Sequence, residues 1–454
     1  MNYILITALI IYLIIFIAIS LLDIKKVQSF NDYAVAGKSQ TTFAVTMSLL
    51  ATTIGASTTI GLCDTVYSIG FPGIWWLLFG AVGLILQSFI LSEKVRDLDA
   101  ATLPDLARIV SGRTAEMVIA LIIVISWIGV IAGQLAAMSG LISFAFGKEG
   151  KVIPIIISVI IIVYTLAGGQ LSVVRTDKIQ FIFIMIGILV CFGYLYIMHG
   201  YNNTEIFSNI ELLNENYRPV NLLNQLFVIG GVYFIGPDIM SRNFISKNKK
   251  TARISALAAG LMLILFSVII TLIGMWCRHN IPASSMSGKA LMYVITLIPK
   301  PLGIMLTLGL LSAILSSTDT CLINAAGIFV KDILKRDNVS MVRIAVAGIG
   351  LLAILLTFCG DGDIMTLLSG AYSVYTPGII FPLTIAVLCY KKRDLRKSLW
   401  LTGVIAGGLF GITATYLTKI PAVSAALGSS ASYLPLLGMA VSLIISVISI
   451  KPNK

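Results

Sequence analysis

Apolar residues fall in runs of about 20 along nearly the whole chain, separated by short polar stretches, and a run of that length crosses the hydrocarbon core of a bilayer as an α-helix. Thirteen spans are predicted, over residues 3–22, 41–66, 73–93, 115–146, 152–168, 177–198, 221–241, 252–277, 301–331, 340–359, 364–390, 398–418 and 431–450. A membrane β-barrel would instead show alternating segments of about ten residues, so the long runs exclude it. The expected fold class is an all-α membrane protein with about 13 transmembrane helices. A single transmembrane domain is expected over residues 1–454, with no soluble domain and no linker long enough to hold one. The first run, Tyr3 to Leu22, has no basic residue ahead of it and no A-x-A-like exit, so it reads as a retained helix and not a signal peptide.

Two runs differ from the rest. The second contains Ala51-Thr-Thr-Ile-Gly-Ala-Ser-Thr-Thr-Ile-Gly61, and the seventh contains Phe227-Val-Ile-Gly-Gly-Val-Tyr-Phe-Ile-Gly-Pro237. Gly and Ser serve close helix packing in membranes. They also interrupt helices, and the freed backbone groups then need partners that ions or substrates can supply. The two interrupted runs lie five spans apart. Five is odd, so a five-helix repeat would set its second copy upside down. The spacing fits two inverted repeats, spans 2–6 and 7–11.

Composition agrees with a membrane protein: 58% of the 454 residues are hydrophobic and only 11% charged, with a mean hydropathy of +0.98. A soluble protein of this size needs more charge on its surface. The net charge of +12 could suggest a nucleic-acid partner, but its placement argues for topology. With the N-terminus outside, the outer segments hold only Lys148, Lys151, Arg218, Arg278, Lys289, Lys300 and Lys419, and the rest of the 32 basic residues fall inside, Lys25, Lys26, Arg242 and Lys454 among them. One helix more or fewer would scramble that alternation.

The six cysteines, Cys63, Cys191, Cys277, Cys321, Cys359 and Cys389, show no CxxC spacing and read as small packing residues. Most acidic residues fall in loops or at helix ends. Asp319 is the exception, within Leu311-Ser-Ala-Ile-Leu-Ser-Ser-Thr-Asp-Thr320. It precedes Lys331 by about 18 Å of helix, which places it near mid-membrane. Ser316, Ser317, Thr318 and Thr320 stand beside it in sequence and offer only oxygen, the ligand that hard cations take. A hydroxyl-rich packing face with one buried Asp is the plainer alternative. Asp177 opens the sixth span, where an acidic residue is commonly a helix cap.

No H-E-x-x-H, G-x-S-x-G or Walker motif is present, so neither catalysis nor ATP coupling has a site, and uphill work would draw on an ion gradient. His199 and His279 fall at or beyond the outer helix ends, and the short sequon Asn202-Asn203-Thr204 carries no weight.

Five motifs occur in order, Asp32 to Ser39, Leu103 to Asp105, Tyr164 to Gln180, Ser241 to Arg253 and Ala313 to Ile333, and together they resemble those of the sodium:solute symporter family. Asp32-Tyr-Ala-Val-Ala-Gly-Lys-Ser39 is similar to its D-Y/F-x-x-A-G-R/K-S segment, and Leu103-Pro104-Asp105 to its T-L-P-E loop. Tyr164-Thr165, Gly168-Gly169, Thr176-Asp177 and Ile179-Gln180 match its Y-T-x-x-G-G…T-D-x-I-Q signature. Ser241-Arg242 with the basic stretch Lys247 to Arg253 resembles its Q-R loop, and Ala313-Ile-Leu-Ser-Ser-Thr-Asp-Thr320 with Asp332-Ile333 its hydroxyl-rich helix.

The resemblance implies a LeuT-type five-plus-five inverted repeat, with one extra helix before it and two after, and Na+ symport by alternating access. The first repeat would cover 41–199 and the second 221–390, with extra helices at 3–22 and over 398–450. It also implies a main Na+ site made by backbone carbonyls at Ala56 and Thr59, the carbonyl of Ala313 and the hydroxyls of Ser316 and Ser317. Some members carry a further site, which here would involve Asp177, Asp319 and Thr320. The substrate would lie about one turn outward of the ion, with Thr58, Cys63, Gln87, Gln134, Tyr233, Tyr372 and Tyr375 as candidates. Trp75 and Trp76 would wall it or anchor the interface. Two departures bear on the solute. Thr58 stands where proline-transporting members place an acidic residue, and Cys63 where sugar-transporting members have an amide.

The function expected is Na+-coupled symport of a small polar organic solute, of the amino acid, carboxylate, vitamin or osmolyte class. The setting is the cytoplasmic membrane, N-terminus outside and C-terminus inside, with no nucleic-acid partner and no obligate protein partner. The alternatives are an H+-coupled transporter carrying its proton on Asp319 or Asp177, and a solute sensor, which would ordinarily need an attached signalling domain.

Overall fold

The computed structural model describes residues 3–23, 29–147, 150–198, 210–282, 289–360 and 363–452. Lys25, Lys26, Lys148, His199, Lys454 and the Asn202-Asn203-Thr204 sequon lie outside the described residues. Among the described residues, all the regular elements are helices. Eleven are long and apolar enough to cross a membrane, and the pair Thr42–Thr53 and Ser57–Ile69, bent by 60°, is long and apolar enough to do so together. The predicted span 152–168 corresponds to a shorter apolar helix, Val152–Leu166.

The apolar runs divide into two kinds of face. On the first helix, Tyr3–Asp23, Leu5, Leu9, Tyr12 and Phe16 recur at helical spacing and are buried, while Ile4, Ile11, Ile14 and Ile15 point outward. Hydrocarbon is as apolar as leucine, so an outward isoleucine costs nothing there. A polar contact adds to this packing: Tyr12 shares a hydrogen bond of 2.6 Å with Ser312 of the helix Lys300–Ile328.

That helix, Lys300–Ile328, lies at the centre, with Leu310 to Leu322 buried almost without interruption. It packs along Gly168–Met198 through small residues. A Cβ at Gly187 would lie 2.8 Å from the Met305 carbonyl, and one at Gly309 would lie 2.8 Å from that of Phe183. Larger residues at either position would force the two backbones apart.

The Gly168-Gly169 pair marks a break. Gly169 has φ +60° and ψ −171°, which ends the helix Val152–Leu166 and restarts the chain as Gly168–Met198. A side chain there would press on the Tyr33 backbone oxygen at 3.1 Å, so the glycine also seats the short helix Phe30–Val35.

The apolar pattern does not mark the short helices. Phe30–Val35, Ser92–Asp97 and Leu103–Ser111 join spans at the basic end of the bundle. Ser29 and Thr102 cap the first and third of these, each accepting from the backbone amide three residues on. Lys331 and Lys335, just past Lys300–Ile328, pair there with buried Asp105 and Glu116, each at 2.5 Å.

Candidate functional site

The first interrupted run is a broken helix. Its first arm ends at Thr53, and Ile54 takes φ −90° and ψ 74°, outside the helical region. The second arm starts with a π-helical turn, Ser57–Gly61, a wider winding that often marks functional sites. The break frees backbone groups, and four of them have side-chain partners. The amide of Ala56 donates to Gln134 Oε1 at 3.0 Å. The carbonyl of Thr53 accepts from Thr58 Oγ1 at 3.1 Å and Tyr233 Oη at 3.3 Å. The Gly55 carbonyl accepts from Thr59 Oγ1 at 2.8 Å, and that of Thr52 from Ser317 Oγ at 2.8 Å. Gly55 must be glycine for this approach, because a Cβ there would collide with the Ser317 hydroxyl.

The second interrupted run, Pro219–Ile245, breaks at Gly236, whose φ −62° and ψ 146° are extended. Tyr375 Oη donates to the freed Ile235 carbonyl at 2.7 Å. This helix also carries a π-helical turn, Gln225–Ile229, in its first arm. Past the break come Pro237 and Asp238. The Asp238 carboxylate is held by neutral donors: Trp127 Nε1 at 2.8 Å, Asn324 Nδ2 at 3.0 Å and Cys321 Sγ at 3.3 Å.

The two central aspartates part company. The Asp319 carboxylate accepts from Tyr164 Oη and, at 2.6 Å, from Thr165 Oγ1, the Y-T pair of the helix beside it. Its sequence neighbours Ser316, Ser317 and Thr320 point to other partners. Adjacent helix positions are turned about 100° from each other, so neighbours in sequence face different helices. Asp177 accepts from Ser48 Oγ, from Ser316 Oγ at 2.5 Å, and from Arg242 Nη2 at 3.0 Å. It is a fully buried ion-pair partner within the helix Gly168–Met198, and an exposed cap would look different.

Ala56, Thr59, Ala313, Ser316 and Ser317 are all buried, and the Ser317 hydroxyl lies against the first break. Thr58, Gln134 and Tyr233 also reach that break, and Tyr375 reaches the second. Tyr372 stands with Trp127, ring centroids 6.5 Å apart. Gln87 reaches instead toward Met240 Sδ, at 3.9 Å, with its amide oxygen buried and unpartnered. Cys63 lies on the far arm, its carbonyl against Gly274 of the helix Lys249–Asn280. The sequence does not single out Asp238, Trp127, Ser48 or Thr52. It marks Arg242 only as an inside charge within the Q-R-like motif, yet the Arg242 side chain has no exposure.

A cavity of about 520 Å³ opens at the end of the bundle away from the basic segments, bounded by Trp76, Asn224, Gln225, Ser369 and Ser373. Trp76 lines this cavity. Toward the basic end, a hollow of only about 10 Å³ lies between Thr102, Pro237, Ser241 and Asn324, room for about one water.

The chain as a whole is similar to known proteins. The chain is 24% identical to the osmoregulated proline transporter OpuE of Bacillus subtilis (strain 168) over 466 residues, which cover 91% of this chain and 94% of that one. Its fold is similar to a Na+-coupled sialic acid symporter solved in a substrate-bound outward-open state, with a TM-score of 0.78 and 17% identity, covering 100% of this chain and 99% of the other. It is also similar to MhsT in complex with L-phenylalanine, with a TM-score of 0.59 and 14% identity, covering 90% and 97%. Both the family and the fold are those of multi-pass secondary transporters, with a LeuT-type helical arrangement, and not of enzymes. A profile of the sodium:solute symporter family matches residues 33–407, and the chain belongs to that family.

Proposed function

We propose that this transporter couples the inward movement of a small polar organic solute to Na+, in the cytoplasmic membrane, with its N-terminus outside and its C-terminus in the cytoplasm. The observation that carries the reading is the Ser317 hydroxyl, 2.8 Å from the Thr52 carbonyl at the first break. It joins the central helix to the broken one with oxygen atoms only. Na+ would lie among the carbonyls of Ala56, Thr59 and Ala313 and the hydroxyls of Ser316 and Ser317. A hydroxyl that donates its proton to a carbonyl keeps lone pairs free for a cation. The ion bridges two helix groups, and it drives the cycle only because it binds their two arrangements unequally.

The solute would occupy the space between the breaks, reached from the 520 Å³ cavity, with Thr58, Gln134, Tyr233 and Tyr372 nearest and Cys63, Gln87 and Tyr375 around them. The proline transporter among the relatives favours an amino acid or osmolyte, while Thr58 argues against proline itself. The inverted repeats would be 41–199 and 221–390, which sets the two breaks in equivalent positions.

The test has two stages. Thermal stability of the purified chain is measured against amino acids, carboxylates, vitamins and osmolytes, with and without Na+; a true substrate stabilises more strongly when Na+ is present. Uptake of that solute at fixed pH is then compared between the unaltered chain and Ser317→Ala. The variant should fold and lose Na+-dependent uptake. Unchanged Na+ dependence would sink the site, and uptake that ignores Na+ but follows the pH gradient would establish the H+-coupled alternative.

A further inference from the structure

Arg242 has an oxygen partner at each of its three guanidinium nitrogens. It sits on Pro237–Ile245, past the second break, with no exposed surface. Its Nε donates to Ser48 Oγ at 3.1 Å and its Nη1 to Ser241 Oγ at 3.0 Å. Its Nη2 faces Thr52 Oγ1 at 2.6 Å, Thr320 Oγ1 at 2.8 Å and Asp177 Oδ2 at 3.0 Å. Four helices meet at this one group: both broken helices, Gly168–Met198 and Lys300–Ile328.

Without the guanidinium, those atoms would form a hard-cation site. One carboxylate and several hydroxyls, all oxygen and all buried, are what such an ion takes. The guanidinium fills it. The second carboxylate that could enlarge the site, Asp319, is committed to Tyr164 and Thr165. The Asp177–Arg242 pair is already neutral, and a further cation beside it would meet a like charge in a medium of low dielectric.

We propose that Arg242 is a tethered cation that holds the place of a second Na+ at Asp177, so that the chain binds one Na+ per cycle. The inference rests on the Na+-coupled reading above. Ser316 links the two positions, since its hydroxyl donates to Asp177 at 2.5 Å and belongs to the proposed Na+ site.

Equilibrium binding of radiolabelled Na+ to the purified full chain tests it without knowledge of the solute. One Na+ per chain at saturation is the expected result, and two per chain in the unaltered protein overturns the proposal. Arg242→Gln, which leaves Asp177 unpaired, should raise the count to two. The double variant Asp177→Asn with Arg242→Gln should return it to one. A folded Arg242→Gln protein that still binds one Na+ overturns the idea that the arginine holds the place. No Na+ bound to the unaltered chain overturns the Na+-coupled reading itself. If Arg242→Gln does not fold, the count in the unaltered chain still decides.

Discussion

Tyr233 of the second broken helix donates to the carbonyl of Thr53 at the end of the first arm of the other, at 3.3 Å. The two interruptions are thus joined directly. The Tyr233 ring lies on Gly80, where a Cβ would come within 3.0 Å of it. Substituting Phe keeps the ring and removes only the hydroxyl. The Thr53 carbonyl retains Thr58 as a donor, so the stability cost should be small, about 0.5–1 kcal/mol. Tyr375 is a sharper case, since its hydroxyl at 2.7 Å is the side-chain donor described for the Ile235 carbonyl. Tyr375→Phe should cost about 1–3 kcal/mol, the penalty for a buried acceptor left unmade. Thermal unfolding in one detergent should rank Tyr375→Phe below Tyr233→Phe. The reverse order would show that the second break finds another donor.

The breaks were legible because lipid makes interruptions conspicuous. Gly55, Gly236 and Pro237 stand out in apolar runs, and so do Ser316 and Ser317. Arg242 was not legible as a buried group. The positive-inside pattern treats every basic residue near a span end as a loop charge, and Arg242 lies five residues before Lys247 in a stretch that reads as polar. Its partners come from Ser48, Thr52, Asp177 and Thr320, distant in sequence, and no spacing rule connects them. Asp238 was hidden for the same reason. The partners of Asp319 were present in the sequence as Tyr164-Thr165, but which helix faces which is a matter of packing.

At the basic end, Asp105 is held by Lys331 at 2.5 Å and Arg108 at 3.0 Å. Burial raises its proton affinity, but these two cations and the Ala101 amide outweigh burial and hold the carboxyl below the usual aspartate range. A carboxyl depressed in the folded state contributes stability above its unfolded pKa, ordinarily about 3.9, and loses it as pH falls through the folded value. The contribution should therefore be complete at neutral pH and disappear only in strong acid. Asp105→Asn should lower thermal stability at pH 7 by about 1–3 kcal/mol and narrow its gap to the unaltered chain below about pH 3. A gap that stays constant across that range would show that the ion pairs at Asp105 contribute nothing.

The approach of the two broken-helix neighbourhoods depends on a residue with no side chain. A Cβ on Gly83 would collide with the Gly230 carbonyl oxygen, and both residues lie inside helices whose own amides are already bonded. Ala at Gly83 would force Trp75–Ile90 away from the second broken helix and unseat the Tyr233 ring, whose Cβ is 3.1 Å from the same point. Overpacking of this kind costs about 1–3 kcal/mol, against the gain of about 1 kcal/mol that alanine brings to a helix interior. Gly193 supplies the control, since a Cβ there meets nothing within 4 Å and the residue also lies within a helix. Gly193→Ala should therefore leave stability unchanged or raise it, while Gly83→Ala lowers it and reduces uptake. Equal effects at the two positions would mean that the close approach at Gly83 is not what holds the second broken helix in place.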